Sequence, residues 1–277
     1  MTQPATKRFT WSIHVVLILL VAATLFPVLA VIKMALRPEQ TFDTSLVPWP
    51  TQFSLDNFRA VFDAPFFWTQ LGNSVVISVA TTLIGIFLSC TAAYAFSRYK
   101  FPGQRAGMMG FLVTQMFPGT MMMIPLYQVL DWLNLLDSMS GLILVYSTTS
   151  IPFCVWMLKG YFDTIPIELE ESAMMDGARP FTIFWRIVMP LSRPAVAVTA
   201  LFSFMTAWNE YILAATFMSD ERAYTLPVRL QQYVGDYTTE WGYFAAGAIC
   251  VSVPVMALFF ALQKHLVGGL TAGGVKG

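Results

Sequence analysis

Four carboxylates crowd one short stretch of the sequence that carries no positive charge. Glu168, Glu170, Glu171 and Asp176 lie within residues 165–178, an interval without Lys or Arg. The apolar residues of the same stretch include Ile167, Leu169, Met174 and Met175. Apolar side chains beside unbalanced carboxylates favour docking on a protein that offers a pocket and a nearby cation; a solvated acidic loop is the alternative.

A second polar group, Trp208-Asn209-Glu210, interrupts a long apolar run. A carboxylate in hydrocarbon costs at least ~2.5 kcal/mol, so Glu210 should face a water-filled path, a polar partner or the outer membrane interface. We predict that these three residues line a translocation path, with the interfacial position as the alternative.

The composition places these groups in a membrane protein. Of 277 residues, 56% are hydrophobic and 12% are charged, whereas soluble domains are roughly 25% charged. Basic and acidic side chains number 16 each, so no net charge attracts nucleic acid. The three cysteines lie far apart without a C-x-x-C pattern, which indicates small buried hydrophobic residues rather than metal ligands.

Six apolar runs are long enough to cross a ~30 Å hydrocarbon core as helices. They cover residues 11–32, 71–96, 107–127, 139–158, 195–218 and 243–262. The sequence therefore predicts an all-α polytopic membrane protein with six transmembrane helices. No repeat or linker divides the chain, so residues 1–277 are predicted to form one membrane domain. Pro118 and Pro125 should kink the third helix.

Lys and Arg are unevenly divided between the two sides of these helices. Eleven of the 16 lie on the side that holds the N-terminus, and such an excess marks the cytoplasm. Both termini, the loop 159–194 between the fourth and fifth helices, and the tail 264–277 are then cytoplasmic. Anionic lipid headgroups would repel the acidic stretch on that side, which disfavours lipid as its docking surface.

Loop 159–194 carries local signals for two short helices. Pro166 suits a first helical position, and the acids that follow it match the positive end of a helix dipole. Gly177 provides a left-handed stop, Pro180 can open a second helix, and Pro190 should end it. We therefore predict a cytoplasmic helix-turn-helix between the fourth and fifth spans.

The spacing of this loop resembles a motif of ABC importer permeases. Their loop reads E-A-A, three residues, G, nine residues, I-x-L-P, and the corresponding residues here are Glu171, Ser172, Ala173, Gly177, Ile187, Met189 and Pro190. The resemblance implies that this loop, Asp176 included, contains a coupling helix that docks on an ATPase subunit. It also implies that Glu171 pairs with a cation on the ATPase and that Gly177 allows the tight turn.

ATP must then be handled by another polypeptide. No G-x-x-x-x-G-K-[ST] sequence occurs in the chain, so the usual phosphate-binding loop is missing. We expect no catalytic residue, cofactor or metal site in this chain, with ATP and Mg²⁺ bound by the partner ATPase. The implied partners are a second homologous permease subunit, an ATPase dimer, an extracytoplasmic sugar-binding protein and membrane lipid.

Other segments resemble the shorter permease subunit of maltose and maltodextrin importers of the bacterial inner membrane. They include KFPG at residues 100–103, QMFP at 115–118 and the ending GLTAGGVKG at 269–277. That resemblance implies that the tail contacts the ATPase pair through Gly273, Gly274, Val275 and Lys276. A disordered tail is the alternative. It also implies that an external loop enters the binding protein through Asp236, Tyr237 and Thr238. An aromatic belt at the membrane surface is the alternative there.

The predicted function is the permease subunit of an ATP-driven importer for maltose, maltodextrin or a related oligosaccharide. The alternative is an ion-coupled secondary transporter acting without an ATPase, which would need several intramembrane ionisable groups and inverted repeats. A membrane-embedded enzyme is a third hypothesis, which only scattered polar residues favour.

Overall fold

The computed structural model describes residues 7–235 and 238–272, with side chains for 11–235 and 238–263. Over those ranges the chain is helical, and its one extended pairing is an isolated bridge between Val234 and Thr239. In chain order the α-helices are α1 (Lys7–Ala35), α2 (Asp56–Phe62), α3 (Phe67–Arg98), α4 (Gln104–Met116), α5 (Met123–Trp132), α6 (Met139–Phe162), α7 (Glu168–Met175), α8 (Pro180–Ile183), α9 (Met189–Leu191), α10 (Arg193–Trp208), α11 (Ile212–Phe217), α12 (Leu226–Gln231) and α13 (Trp241–Ala272).

Helices α1, α3, α6 and α13 are long and apolar enough to cross a membrane. Two bent helix pairs raise the number of candidate spans to six if each pair counts as one span. In the first pair, α4 meets Gly119–Trp132 at 97°, and in the second, Pro180–Leu191 meets α10 at 80°. The prediction of an all-helical polytopic protein is confirmed at this level.

Proline breaks the third predicted span instead of kinking it. α4 ends at Met116, Phe117 is extended, and a 3₁₀ turn follows Pro118. The residue before a proline avoids the helical conformation, which explains why α4 ends there. The expected kink at Pro125 is wrong, because Pro125 lies in the first turn of α5, where no backbone donor is needed.

The fifth predicted span, residues 195–218, is also discontinuous. α10 ends at Trp208 and α11 begins at Ile212, with Glu210 in the break. The sequence prediction placed Glu210 inside one continuous helix and is wrong on this point. The physical reason, described below, is that the Glu210 carboxylate competes for the backbone donors of the next turn.

The chain divides into two compact units, and the first comprises Met1–Phe67 and Arg229–Val253. A buried amide, Asn57, closes the end of α1 in this unit. It donates to the carbonyl oxygens of Ala35 at 3.1 Å and Arg37 at 2.7 Å, and accepts from Gln40 at 2.6 Å. The bond to Ala35 satisfies a carbonyl group that the helix end leaves without an intrahelical partner, and the bond to Arg37 fixes the residues that follow.

The second unit comprises Trp68–Val228 and Pro254–Gly277 and contains two hydrophobic clusters. One cluster joins α3 and α6 to the helices that follow α7; its members include Cys90, Tyr94, Leu158, Phe162, Ile183 and Phe184. The other surrounds α5, α6 and α11; its members include Leu130, Leu142, Tyr146, Ala214 and Phe217. α6 and α10 pack through the rings of Phe153 and Phe202, whose centroids are 4.1 Å apart and whose planes are inclined by 36°.

Candidate functional site

The acidic helix α7 is built by local signals. Three glutamates occupy its first turn, where the helix dipole favours negative charge. Gly177 follows the helix with a φ of 84°, a left-handed conformation that residues with a Cβ avoid. The amides of Gly177 and Ala178 donate to the carbonyl oxygens of Met174 and Ala173, both at 2.9 Å. This is the Schellman arrangement, in which a glycine ends the helix.

One side of α7 is buried and the other is exposed. Ala173 is half-buried against the cluster that contains Tyr94 and Phe184. Glu170 is buried as well, although it is a carboxylate. The exposed residues in and just after α7 are Glu168, Leu169, Glu171, Ser172, Met174, Met175, Asp176 and Gly177. The exposed face therefore combines carboxylates with large apolar side chains, as expected of a surface that docks on a protein.

Both carboxylate oxygens of Glu170 are bound by the end of α3. Arg98 Nε lies 2.6 Å from Oε1, and the Tyr94 hydroxyl donates to Oε2 at 2.8 Å. The Arg98 guanidinium also donates to the carbonyl oxygen of Ile165 and to Ser97 Oγ, both at 3.0 Å. Only 2% of the Glu170 side chain and 9% of the Arg98 side chain are exposed. Each buried charge is thus paired and hydrogen bonded, the condition under which proteins tolerate it.

The sequence prediction missed this buried pair. It grouped Glu170 with the docking carboxylates, whereas the structure exposes Glu171 and buries Glu170. Arg98 and Glu170 are 72 residues apart in the chain, so no local spacing joins them. The signal that was present is electrostatic: a carboxylate without a local cation in the loop, and an arginine at the end of an apolar run.

The remaining predicted docking residues lie beyond α7. Met189 is half-buried against the same cluster as Ala173, and Pro190 is exposed. Between α8 and α9 the chain forms a π-helical turn at Phe184–Val188. The helical segment ends at Leu191, one residue after the predicted end at Pro190, and the chain then bends by 80° into α10. π turns recur at functional sites, and this one is followed by α9 and then by the bend into α10.

Glu210 starts helix α11. Its Oε1 accepts from the backbone N–H of Leu213 at 2.9 Å. Its Oε2 accepts from the N–H of Ala214 at 3.0 Å and from the Tyr146 hydroxyl at 2.9 Å. A carboxylate in this position satisfies free donors of the helix and interacts favourably with its dipole. The polar partner that a carboxylate within an apolar run requires is therefore supplied by the chain itself.

The two neighbours of Glu210 lie in different surroundings. Trp208 is buried and stacks on Phe204, with ring centroids 5.5 Å apart. Asn209 is exposed and donates to the carbonyl oxygen of Met205 at 2.9 Å. A common role for Trp208, Asn209 and Glu210 in a translocation path stays a prediction.

Several predicted contact residues lie outside the described residues: Asp236, Tyr237, Gly273, Gly274, Val275 and Lys276. Thr238 is described and exposed, and its carbonyl oxygen accepts from the amide of Gly235 at 3.1 Å. In the part of the chain that the structure describes, no group of three or more His, Cys, Asp or Glu residues could hold a metal ion.

Fold and loop together define a polytopic helical protein with an acidic helix-turn-helix between two of its candidate spans. Residues 81–271 match the family described as "Binding-protein-dependent transport system inner membrane component". This chain belongs to that family, which confirms the resemblance to importer permeases.

Two relatives match along nearly the whole chain. The maltose/maltodextrin transport system permease protein MalG of Escherichia coli K12 is 37% identical over all of this chain and 99% of its own length. The trehalose transport system permease protein SugB of Mycobacterium tuberculosis is 36% identical over 94% of this chain and 95% of its own.

A solved structure shows the same fold. It is a bacterial ABC transporter involved in the import of the acidic polysaccharide alginate. One of its chains aligns with a TM-score of 0.79 over 95% of this chain and 99% of its own length, at 23% identity.

Proposed function

We propose that this chain is the permease subunit of an ATP-driven importer for maltose, maltodextrin or a related glucose oligosaccharide. The observation that carries the proposal is the similarity along the whole chain to MalG and SugB, which are named for maltose/maltodextrin and trehalose transport. Both cargoes are neutral oligosaccharides of glucose, so one path that is suited to hydroxyl groups would serve either. The alginate transporter supports the fold alone, because its identity to this chain is 23%.

The proposal requires an assembly. A second permease subunit would complete the path, an ATPase dimer would bind ATP and Mg²⁺, and an extracytoplasmic binding protein would deliver the sugar. The family description, with its dependence on a binding protein and its inner-membrane position, supports the last partner and the bacterial inner membrane as the location. In this assembly the chain itself carries no catalytic residue.

The charge distribution supports an orientation with both termini and α7 in the cytoplasm. There the exposed face of α7 would dock on the ATPase: Glu171 would pair with a cation, and Leu169 and Met175 would enter an apolar pocket. ATP-driven closure of the ATPases would pull α7 and rock the spans, so that the path opens alternately to the two sides. Asp176, Gly177, Met189 and Pro190 would shape the docking loop.

The other predicted roles form part of the same proposal. Tail residues 273–276 would contact the ATPase pair, and residues 236–238 would contact the binding protein. Trp208, Asn209 and Glu210 would border the path, where Glu210 also holds the break between α10 and α11.

Reconstitution tests the function directly. The chain would be co-purified with its genomic neighbours and placed in vesicles, and uptake of radiolabelled maltotriose and trehalose would be measured with the binding protein supplied outside. We expect uptake that requires internal ATP and the ATPase subunit. Uptake by the isolated chain, or uptake that a protonophore abolishes while ATP remains, would instead support an ion-coupled transporter.

A charge reversal tests the docking face. Glu171→Lys should abolish ATPase co-purification and uptake while membrane insertion persists, because it replaces the exposed acid by a repelling charge. Asp63→Lys is the matched control, since Asp63 is also exposed but lies on the predicted external side. Equal losses in the two variants, or none in Glu171→Lys, would contradict the docking role.

A further inference from the structure

One polar cluster joins α7 to α3. Glu170 of α7 meets Arg98 at 2.6 Å and Tyr94 at 2.8 Å, and all three side chains are largely buried. Within residues 11–235 and 238–263, no other side chain of α7 forms a salt bridge. The hydroxyl of Ser172, the uncharged polar residue of the helix, donates to the Glu168 carbonyl oxygen of its own helix at 2.7 Å.

The cluster also fixes the linker that enters α7. Arg98 donates to the carbonyl oxygen of Ile165, so one guanidinium holds both the linker and the helix. A planar guanidinium with several donors in a fixed fork suits this task, because it sets orientation as well as distance. Separating the charges would leave each one buried without a partner, which is strongly unfavourable.

A second ion pair nearby shows the contrast. Lys159 and Asp163 lie 2.5 Å apart at the end of α6, and their side chains are 26% and 42% exposed. Water can replace either partner there, so this pair can open at little cost. The buried pair cannot, and it is therefore the more rigid of the two connections.

We infer that Glu170 is a positioning residue that binds α7 to the end of α3, so that the two helices move as one body when α7 is pulled. The inference rests on the proposed function, because it gives the route by which displacement of the docking helix reaches a membrane span. Tyr94 and Arg98 take part in the same connection, because they bind the Glu170 carboxylate from α3. Glu171 recruits the ATPase, and Glu170 transmits its movement. The contacts of Glu170 lie within this chain, whereas those of Glu171 would lie on the partner.

The first experiment separates transmission from docking. Glu170→Gln keeps the size of the side chain and removes its charge, and the full reconstituted transporter is measured for ATPase co-purification, ATP hydrolysis and sugar uptake. We expect co-purification and hydrolysis to persist while sugar moved per ATP falls by roughly tenfold, a change within the range of allosteric coupling. The matched control is Lys159→Gln, which breaks the exposed pair and should leave the ratio unchanged. An unchanged ratio in Glu170→Gln would overturn the inference.

The second experiment follows the two helices directly. Spin labels at Arg179 and Lys100, both exposed, report the distance between the residues just after α7 and those just after α3. In the otherwise unaltered transporter we expect the same distance with and without ATP, and in Glu170→Gln a distance that changes with ATP. A shift of more than about 5 Å, the rise of one helical turn, in the unaltered transporter would show that the helices move separately.

A milder variant keeps the test decisive if Glu170→Gln fails to assemble. Tyr94→Phe removes one hydroxyl bond and leaves the ion pair, so we expect a smaller fall in sugar moved per ATP, with normal assembly. No fall in this variant at normal assembly would count against the cluster. If the unaltered transporter does not use ATP, the proposed function itself is wrong. If the unaltered transporter works and Glu170→Gln moves as much sugar per ATP, only the inference about Glu170 is wrong.

Discussion

Glu170 and Glu210 are both carboxylates of the second unit that have lost most or part of their contact with water, and the protein stabilises them in different ways. Glu170 binds a guanidinium and a hydroxyl from a helix more than 70 residues away in the chain. Glu210 binds two backbone amides three and four residues ahead of it, and one distant hydroxyl. The first arrangement joins two helices, and the second begins one.

The difference predicts how much folding stability each site loses when one of its members is removed. Without Arg98, Glu170 would be a buried charge with no counter-charge, which is the most costly state for an ionisable group. Without Glu210, the abandoned groups would be neutral amides and one hydroxyl, whose unmet hydrogen bonds cost less. The Glu170 site should therefore tolerate paired changes far better than single ones, while the Glu210 site should show no such preference.

Arg98→Met should produce the largest loss, about 3–5 kcal/mol of folding stability, because it leaves Glu170 buried and unpaired. The measurement is the midpoint of thermal unfolding of the purified permease complex in mild detergent. The double variant Arg98→Met, Glu170→Met should recover most of this stability, since apolar side chains of similar volume can replace a buried ion pair. Recovery of stability without recovery of transport would separate the positioning role from a merely structural one. No recovery at all would show that the pair is not the source of the loss.

Glu210→Ala should cost less, about 2 kcal/mol, because it removes a helix-starting acceptor and leaves the Tyr146 hydroxyl unbound. Glu210→Gln should cost about half as much, since its amide oxygen can still accept from the start of α11. Thermal unfolding under the same conditions gives both values. A loss with Glu210→Gln as large as that with Arg98→Met would mean that the charge of Glu210, rather than its acceptor atoms, holds the break.

Local signals in the sequence were sufficient to predict those structures that depend on residues close together in the chain. A glycine at 177 predicted the end of α7, and Pro166 with the acids after it predicted the start to within two residues, since dipole and left-handed turn are short-range effects. Apolar length alone located the helices of the four long spans, among them the run 139–158, which lies within Met139–Phe162.

The sequence could not provide the contacts made across the fold. Arg98 and Glu170 meet only after α3 and the loop have packed, so periodicity says nothing about them. The position of Glu210 was predicted wrongly for a related reason. Hydropathy records one charge in an apolar run, but it does not show that the carboxylate can accept hydrogen bonds from the backbone amides of the next turn. Both errors concern a charged side chain that found its partner inside the chain.

Gly177→Ala tests the end of α7, which is formed by the backbone, whereas the start of α11 is formed by the Glu210 side chain. A Cβ at a φ of 84° is strained, so we expect a loss of about 1 kcal/mol at the end of α7. Gly160→Ala is the matched control, because Gly160 lies inside α6 with open space around it and should become slightly more stable. Thermal unfolding and ATPase co-purification are the two measurements. Equal effects at both positions would rule out the left-handed turn as the cause.

Asp43, in the first unit, extends the comparison to a third carboxylate and gives the smallest expected effect. Lys33 Nζ lies 2.6 Å from its Oδ2, and the Ser45 amide donates to Oδ1 at 2.8 Å. These two hydrogen bonds hold the pKa of Asp43 below its ordinary value of 3.8. A carboxyl group whose pKa is lowered by folding stabilises the folded state fully above its ordinary value, and this contribution disappears as pH falls through the lowered pKa.

We therefore expect the segment of residues 36–47 to keep its protection at pH 5 and above and to lose it only below the ordinary pKa. Hydrogen–deuterium exchange of this segment, compared at each pH between the unaltered protein and Asp43→Asn, measures the effect. The variant should lack the acid-dependent change, since an amide has no proton to gain in that range. Because Asp43 lies close to solvent, rising salt should weaken the difference, unlike the effect of Arg98→Met. An acid-dependent loss of the same size in Asp43→Asn would assign the change to another group.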